Sequence, residues 1–560
     1  MSSVSARYPA RRSTGDLKSS GTSRRSKGGS GKGSGGWLDL AGALLLLVTV
    51  SAIAAWYHVS HGHVLWFGDA EAHLNIARRV LDNRQPGFDQ LGTVWLPLPH
   101  LLMLPFVGNE ELWRSGVAGT IPSAAAFVLG GLFLYAAVRR VTGVLPAAWA
   151  AVLLYALNPN LLYLQATPMT EPVFFASLLA MLYATVWHGQ SQSIAAVLLA
   201  ALASCCASMT RYEGWFLIPF VALYLAFGGN KPRFRQGMLF GAIASLPPAF
   251  WLAYNYWHYG NPLEFYNGYY SAKMIYQRAL ESNMRPYPGD HDLRAAVRQY
   301  QAAAELCAGL SLAIIGLGGL AVALLRRWIW PVLFLSLPAL FYVWSIYGSG
   351  TPIFVPHLEP FSYYNTRYGL GMLPLLAFGG AALVTVAPRV RGLLLAAVVL
   401  TATVPWFAYP RAERWITWKE SQVNSEKRRA WTREAADYIR RHYAKGDGIY
   451  ANFGDLTGIL REAGIPIRAM LHDGVHPTYN AVAQKPELFL RESWAIAFGG
   501  DAVSQTLIRS GQRGRPYVCV KLIEVQGEPM VEIYRRADVI GEPRKQAPSE
   551  ESELDEDPIR

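Results

Sequence analysis

Charge is scarce in this chain. Only 16% of its 560 residues are Asp, Glu, Lys or Arg, against 52% hydrophobic, where a soluble globular protein carries roughly 25% charged residues. A polytopic membrane protein is therefore the first reading. The four cysteines, Cys205, Cys206, Cys307 and Cys519, form no CxxC spacing, and two are adjacent within an apolar run. Neither a disulfide framework nor a zinc site is expected. There is no repeat array and no Gly-rich phosphate loop, so a nucleotide-driven enzyme is not indicated. The net charge of +12 invites a nucleic-acid partner. Its Lys and Arg residues, however, fall in an N-terminal tail and in short clusters between apolar runs. That is the distribution of positive-inside topology, and no nucleic-acid partner is expected.

What is present is a succession of long apolar runs. Residues 1–36, rich in Ser, Gly, Lys and Arg, read as a disordered basic tail. The run from Trp37 to Tyr57 is too long for a signal-peptide core and reads as a retained span with its N-terminus in the cytoplasm. The loop 58–112 is then extracytoplasmic. The Pro-rich piece from Trp95 to Val107 is short for a span and reads as an interfacial or re-entrant helix, because this choice keeps Arg139-Arg140, Lys231-Arg233-Arg235, Arg326-Arg327 and Arg389-Arg391 on the side of the basic tail. Further spans follow at 114–138, 145–165, 172–188, 192–209, 214–228, 237–257, 306–325, 328–347, 369–388 and 392–409, about eleven in all on a rule of roughly 20 residues per span. The odd number places the C-terminus outside. From 410 the composition becomes mixed. A helix over 430–443, a turn into a strand over 446–450 and strands at 517–523 and 531–534 predict a small extracytoplasmic α/β domain, 410–537, before a disordered acidic tail, 538–560.

The residues able to carry chemistry fall at the outer ends of these runs. The first loop opens with Gly68-Asp69-Ala70-Glu71-Ala72-His73. Read alone, Asp69 is a helix N-cap and Glu71 is favoured by the helix dipole. On a helix the two carboxylates diverge, so one of them at most addresses a given substrate atom; Asp69 is the candidate base and Glu71 the alternative. Thr170-Glu171-Pro172 offers a second acid at the same level, or another cap with Thr170 as the capping residue. Arg211 has Glu213 beside it, which suits a structural ion pair, whereas Arg367 has no acid nearer in sequence than Glu359 and is the candidate phosphate ligand. Lys273 and Arg211 are further candidate cations, and His73 and Tyr368 are candidates for meeting the acceptor or the sugar. The rings between Trp251 and Tyr270 suit an interfacial belt or a stacking surface. His58, His61, His63, His73 and His100 show no dedicated ligand spacing, so no metal is predicted.

In their order and sidedness, Gly68-Asp69-Ala70-Glu71, Trp95-Leu96-Pro97-Leu98-Pro99, Arg139-Arg140, Thr170-Glu171-Pro172 and Thr210-Arg211-Tyr212-Glu213-Gly214 resemble the GT-C superfamily of polyprenyl-phosphate-sugar-dependent glycosyltransferases. The resemblance is greatest to the bacterial relatives of protein O-mannosyltransferases and of the lipid A aminoarabinose transferase, the family 39 type, and covers about 37–409. It implies a multi-pass protein of the bacterial cytoplasmic (inner) membrane with a catalytic domain over 37–409. The donor would be a polyprenyl-phosphate sugar, with mannose favoured by family frequency, and the acceptor a hydroxyl of a glycan, lipid or protein. It also implies Asp69 as base, Glu171 as the second acid and Arg367 on the donor phosphate; a single displacement by the acceptor hydroxyl then predicts inversion at the anomeric carbon. No cofactor is required; a divalent ion is compatible with the resemblance but not predicted. No WWD signature is present, which disfavours asparagine-linked transfer. The competing readings are a transporter or flippase of lipid-linked glycans, which should carry mid-span charges and matching halves, and a non-catalytic anchor.

Overall fold

The computed structural model describes residues 34–229, 232–408 and 414–540. The two tails expected to be disordered therefore lie outside the described residues, apart from 34–36, which already belong to the helix Ser34–Ser60, and 538–540. The fold divides at Gly42. The opening residues of that helix form one unit, and everything below concerns the other, Ala43 onward.

Among the described residues, six helices are long and apolar enough to cross a bilayer: Gly36–Ser60, Val117–Thr142, Glu171–Ser191, Phe234–Tyr259, Ile329–Tyr347 and Pro388–Ala408. Two bent pairs raise the number to at most eight: Leu145–Ala156 with Pro159–Gln165, bent by 65°, and Leu293–Ala308 with Leu310–Leu325, bent by 106°. By length and composition the eleven expected spans are not reached. The runs read at 192–209 and 214–228 form helices Ile194–Ser208 and Glu213–Phe227 of 15 residues each, about 22 Å long against a hydrocarbon core of about 30 Å. The run at 369–388 opens as a tight 3-10 turn, Thr366–Met372, and only Leu373–Leu383 is α-helical. Leu98–Val107 has 10 residues, too few to span, in keeping with its reading as a non-spanning piece.

Both bends have local causes, and they meet. Pro159 has no N–H to give and disfavours helix at Asn158, whose side chain instead caps the next segment by accepting from the N–H of Asn160 at 3.0 Å and of Leu161 at 3.1 Å. The amides of Asn158 and Asn160 both donate to the Cys307 carbonyl, at 2.9 and 3.1 Å, where the second pair breaks before Gly309. The Cys307 thiol donates in turn to the Thr366 carbonyl at 3.0 Å. The two broken helices thus converge on the turn that carries Arg367. Close helix approach supports this region: a Cβ on Gly319 would lie 1.8 Å from the Gly379 carbonyl oxygen, so Leu310–Leu325 and Leu373–Leu383 cross at bare backbone.

Beyond the spans, the helix Ile416–His442 leads into a five-stranded mixed sheet. Its strands are β1 (Ile449–Tyr450), β2 (Met470–Leu471), β3 (Trp494–Phe498), β4 (Tyr517–Ile523) and β5 (Val531–Arg536), in the order β2-β1-β3-β5-β4. β1 runs parallel to β2 and β3, whereas β3–β5 and β5–β4 are antiparallel. Alternation along β3 sends Trp494 and Ile496 to one core and Ala495 and Ala497 to another. The first of these cores also contains Leu74, Ala77, Met103 and Val107 of the first loop and Trp113 just after it, together with Trp431, Ala435 and Ile439. The sheet region and the first loop therefore share one hydrophobic core.

Candidate active site

Asp69 reaches its place because Phe67 enters the helix Gly68–Leu81 with extended backbone. Phe67 occupies the cap position, so Asp69 is a first-turn residue and not the N-cap. Its carboxylate meets the Nη2 of Arg367, 298 residues away in sequence. Arg367 turns its other nitrogens to two further carboxylates: Nε donates to Glu171 Oε1 at 3.1 Å, and Nη1 lies 3.4 Å from Glu420 Oε1. Glu171 Oε1 also meets Nη1 of Arg211 at 3.2 Å. Arg211 donates to Glu213 at 2.7 Å, as its sequence neighbourhood suggested, and to the Thr170 hydroxyl at 2.8 Å. Thr170 holds the N-cap position of Glu171–Ser191, but its hydroxyl does not cap the helix; it accepts from Arg211 instead.

The result is one connected cluster of four carboxylates, Asp69, Glu171, Glu213 and Glu420, around two guanidinium groups. Tyr368 completes it: its ring lies under both cations, 4.9 Å from the Arg211 and 5.0 Å from the Arg367 guanidinium carbon, and stacks on Tyr342 at 4.8 Å. Tyr342 donates its hydroxyl to Glu213. Burial pushes the Glu420 carboxyl above the usual carboxylate range, against the opposing pull of Arg367 and of the bonds from Thr366 and Asn365. Among the acids paired with Arg367, the Asp69 side chain is 41% exposed while those of Glu171 and Glu420 are 2% exposed. The second oxygen of Glu171 is buried with no hydrogen-bond partner among the described residues. The cluster thus combines one accessible carboxylate, two cations held in place and one carboxylate oxygen able to accept a further hydrogen bond.

Three candidates from the sequence do not join it. Glu71 points away from Asp69, as helix geometry requires, and is neutralised by Arg461 at 3.0 Å and Arg428 at 3.5 Å. His73 is buried against His100, with ring nitrogens 2.9 Å apart, and against Trp95. Burial, then Arg211 and Arg367, lower its pKa to about 3, so it is a neutral ring within the first loop. Lys273 lies over the Tyr266 ring at 4.6 Å. Among the described residues no group of three or more His, Cys, Asp or Glu is arranged to hold a metal.

Glu420 is the member that sequence reasoning missed. It belongs to the first half of Ile416–His442, where Thr417, Glu420, Ser421 and Ser425 are buried. A stripe of polar residues looks solvated in sequence. Here each finds a partner: Thr417 N–H donates to Asn160 at 3.0 Å, and the hydroxyls of Ser421 and Tyr163 lie 2.7 Å apart.

Residues 112–252 match the sequence model of the family described as dolichyl-phosphate-mannose-protein mannosyltransferase. That stretch holds Glu171, Arg211 and Glu213, whereas Asp69, Arg367 and Glu420 lie outside it. The comparison with curated proteins returned no match. Among solved structures, ArnT from Cupriavidus metallidurans in the apo state aligns with TM-score 0.55 and 13% identity over 88% of this chain and 98% of that one. The same protein bound to undecaprenyl phosphate aligns with TM-score 0.55 and 13% identity over 91% and 100%. The Archaeoglobus fulgidus oligosaccharyltransferase tethered with an acceptor peptide aligns with TM-score 0.44 and 14% identity over 82% of this chain and 69% of that one. The chain therefore shares the fold of ArnT, a GT-C fold as the resemblance in its sequence implied, and carries within it a segment, 112–252, that matches the dolichyl-phosphate-mannose-protein mannosyltransferase pattern.

Proposed function

We propose that the chain is an inverting glycosyltransferase that moves a sugar from a polyprenyl-phosphate donor to an acceptor hydroxyl on the extracytoplasmic side of a bacterial inner membrane. The observation that carries this reading is the position of Asp69, an accessible carboxylate touching a buried arginine that a second acid, Glu171, also holds. An ArnT structure of the same fold is described as bound to undecaprenyl phosphate, which supports a lipid-linked phosphate as the donor.

In the reaction, the acceptor oxygen forms a bond to the anomeric carbon as the bond from that carbon to the phosphate oxygen breaks. Asp69 takes the hydroxyl proton, a role typically worth about 10²–10⁴-fold. The bonding electrons leave with the polyprenyl phosphate, whose charge grows from one to two negative units. Arg367, with Arg211 behind it and Tyr368 beneath both, lies where that charge would develop. The free oxygen of Glu171 suits a sugar hydroxyl.

Sidedness is supported by the helix Glu171–Ser191. Its first residue is in the cluster, and Gln190 near its far end accepts from Arg140 at 3.1 Å, about 28 Å away along the axis. Arg140, one of the basic pair that favours the cytoplasm, lies at that far end, which supports an extracytoplasmic position for the cluster. The charges of the cluster lie at helix ends and not mid-span, which disfavours a transporter.

The test is purified protein in lipid with a panel of radiolabelled polyprenyl-phosphate sugars, mannose included, scored for transfer or for hydrolysis of the donor. Turnover of at least one donor, absent in Asp69→Asn, is expected. No turnover with any donor, or full turnover in Asp69→Asn, would overturn the reading.

A further inference from the structure

Arg367 is held on one flank by a residue from outside the membrane helices and outside the stretch that matches the mannosyltransferase pattern. Glu420 does more than neutralise charge there. Its Oε1 accepts the Asn365 N–H at 2.8 Å, and its Oε2 accepts both the Thr366 N–H at 2.9 Å and the Thr366 hydroxyl. One carboxylate thus grips the two peptide N–H groups that immediately precede Arg367 and also faces the guanidinium. Asn365 holds a left-handed backbone, φ 54° and ψ 25°, a conformation that Asn tolerates better than other residues with a Cβ. The Asn365 amide adds a bond to the Pro352 carbonyl at 3.1 Å, so the turn is tied on both sides. Glu420 is itself anchored to the membrane helices through its neighbours Thr417 and Ser421.

We propose that Glu420 is a positioning residue of the transfer site. It locks the turn Asn365–Arg367 so that two guanidinium contacts stay fixed, while the third, to the exposed Asp69, is the one that a lipid-linked phosphate exchanges. The same exchange releases Asp69 to act as base. This inference rests on the transferase reading above. A second carboxylate near a phosphate repels it, so the contribution of Glu420 is geometric and not attractive. Its loss therefore has an unusual signature: phosphate binding does not weaken, yet turnover falls.

The experiment compares wild type, Glu420→Gln and Thr366→Ala, each as the full chain in lipid. Binding is read with undecaprenyl phosphate as the probe, and kcat with the donor found active in the panel. For Glu420→Gln, kcat per folded molecule should fall on the order of 10- to 100-fold, with the Kd for undecaprenyl phosphate unchanged or lower. Thr366→Ala removes one bond to Glu420 but keeps its charge, so it should lower kcat several-fold and keeps the test open if the first variant does not fold. Glu492→Gln, which loosens the sheet region elsewhere by removing the charge that meets Arg84 at 2.7 Å, should leave both quantities unchanged. Unchanged kcat in both Glu420→Gln and Thr366→Ala, or a Kd that rises in step with the loss of kcat, would overturn the positioning role. A wild type that neither binds undecaprenyl phosphate nor turns over any donor would instead sink the transferase reading, and this inference with it.

Discussion

Glu71 and Arg461 form an ion pair of 3.0 Å across 390 residues of sequence. It joins the first loop to the sheet region at a side chain two residues from Asp69. Gly458 packs against it so closely that a Cβ there would lie 2.7 Å from Glu71 Oε1. The two carboxylates of the D-x-E motif therefore divide their work: one faces the cluster around Arg367, and the other ties the scaffold together.

Glu71→Gln should destabilise the protein without removing its chemistry. It removes the carboxylate that Arg461 and Arg428 share and leaves them only the longer contacts to Glu462 at 3.6 Å and Asp455 at 3.8 Å, a loss of about 1–3 kcal/mol. Thermal unfolding in detergent should show a lowered midpoint, and turnover per folded molecule should stay within a few-fold of wild type. A fully inactive but stable variant would return Glu71 to the catalytic set.

Asp69→Asn should show the converse. The side chain is 41% exposed, so the fold loses little, while proton transfer loses its acceptor. Turnover should fall by at least about 10²-fold with the unfolding midpoint nearly unchanged.

Arg367→Lys keeps the charge but not the fork. A single ammonium cannot meet Asp69, Glu171 and Glu420 from three separate nitrogens as the guanidinium does. Affinity for undecaprenyl phosphate should drop about tenfold, or ~1.4 kcal/mol, measured by equilibrium binding. Unchanged affinity would argue against the phosphate role.

Stability should fall on acidification in part through His472. This fully buried ring shares its Nε2 proton with Asn83 Oδ1 at 3.1 Å, and its Nδ1 accepts the Gly474 N–H at 3.0 Å, so the fold needs it neutral. Burial, with Arg79, Arg84 and His476 adding to it, lowers its pKa to about 3; Asp473, 3.9 Å from Nδ1, pulls the other way without reversing the shift. The unfolded chain protonates near the ordinary value of about 6.5. The contribution is therefore complete above that value and is lost as the pH falls from it toward 3, by up to ~1.4 kcal/mol per pH unit. His472→Gln should flatten the dependence of the unfolding midpoint on pH between 6.5 and 4.5.

Topology is open to direct test. In a Cys519→Ser background, Leu488→Cys, at a position 52% exposed in the sheet region, should react with a membrane-impermeant maleimide in intact cells. Labelling only after permeabilisation would place the sheet region in the cytoplasm and reverse the proposed sidedness.

The membrane class, the approximate ends of the apolar runs and the residues Asp69, Glu171, Arg211 and Arg367 were legible in the sequence, because a charged residue at the end of an apolar run stands out against its surroundings. The divergence of Asp69 and Glu71 was legible too, since it follows from helix pitch alone. Bends were harder to read. Asn158-Pro159 breaks a run that hydropathy joins, and the runs at 192–209 and 214–228 read as spans from their apolar composition although each forms a helix of 15 residues. Partnership between distant segments was not legible at all, whereas the local pair of Arg211 and Glu213 was. Arg367 looked unpaired, yet three carboxylates from distant segments surround it, and Glu71 read as the alternative base to Asp69, yet Arg428 and Arg461 neutralise it. Glu420 left no trace in hydropathy, because the helix that carries it buries a polar stripe and satisfies that stripe with hydrogen bonds. Local sequence determines where a charge can leave the bilayer; only the packing of segments hundreds of residues apart decides which opposite charge it meets, because ion pairs and hydrogen bonds depend on a few ångströms of distance and not on separation along the chain.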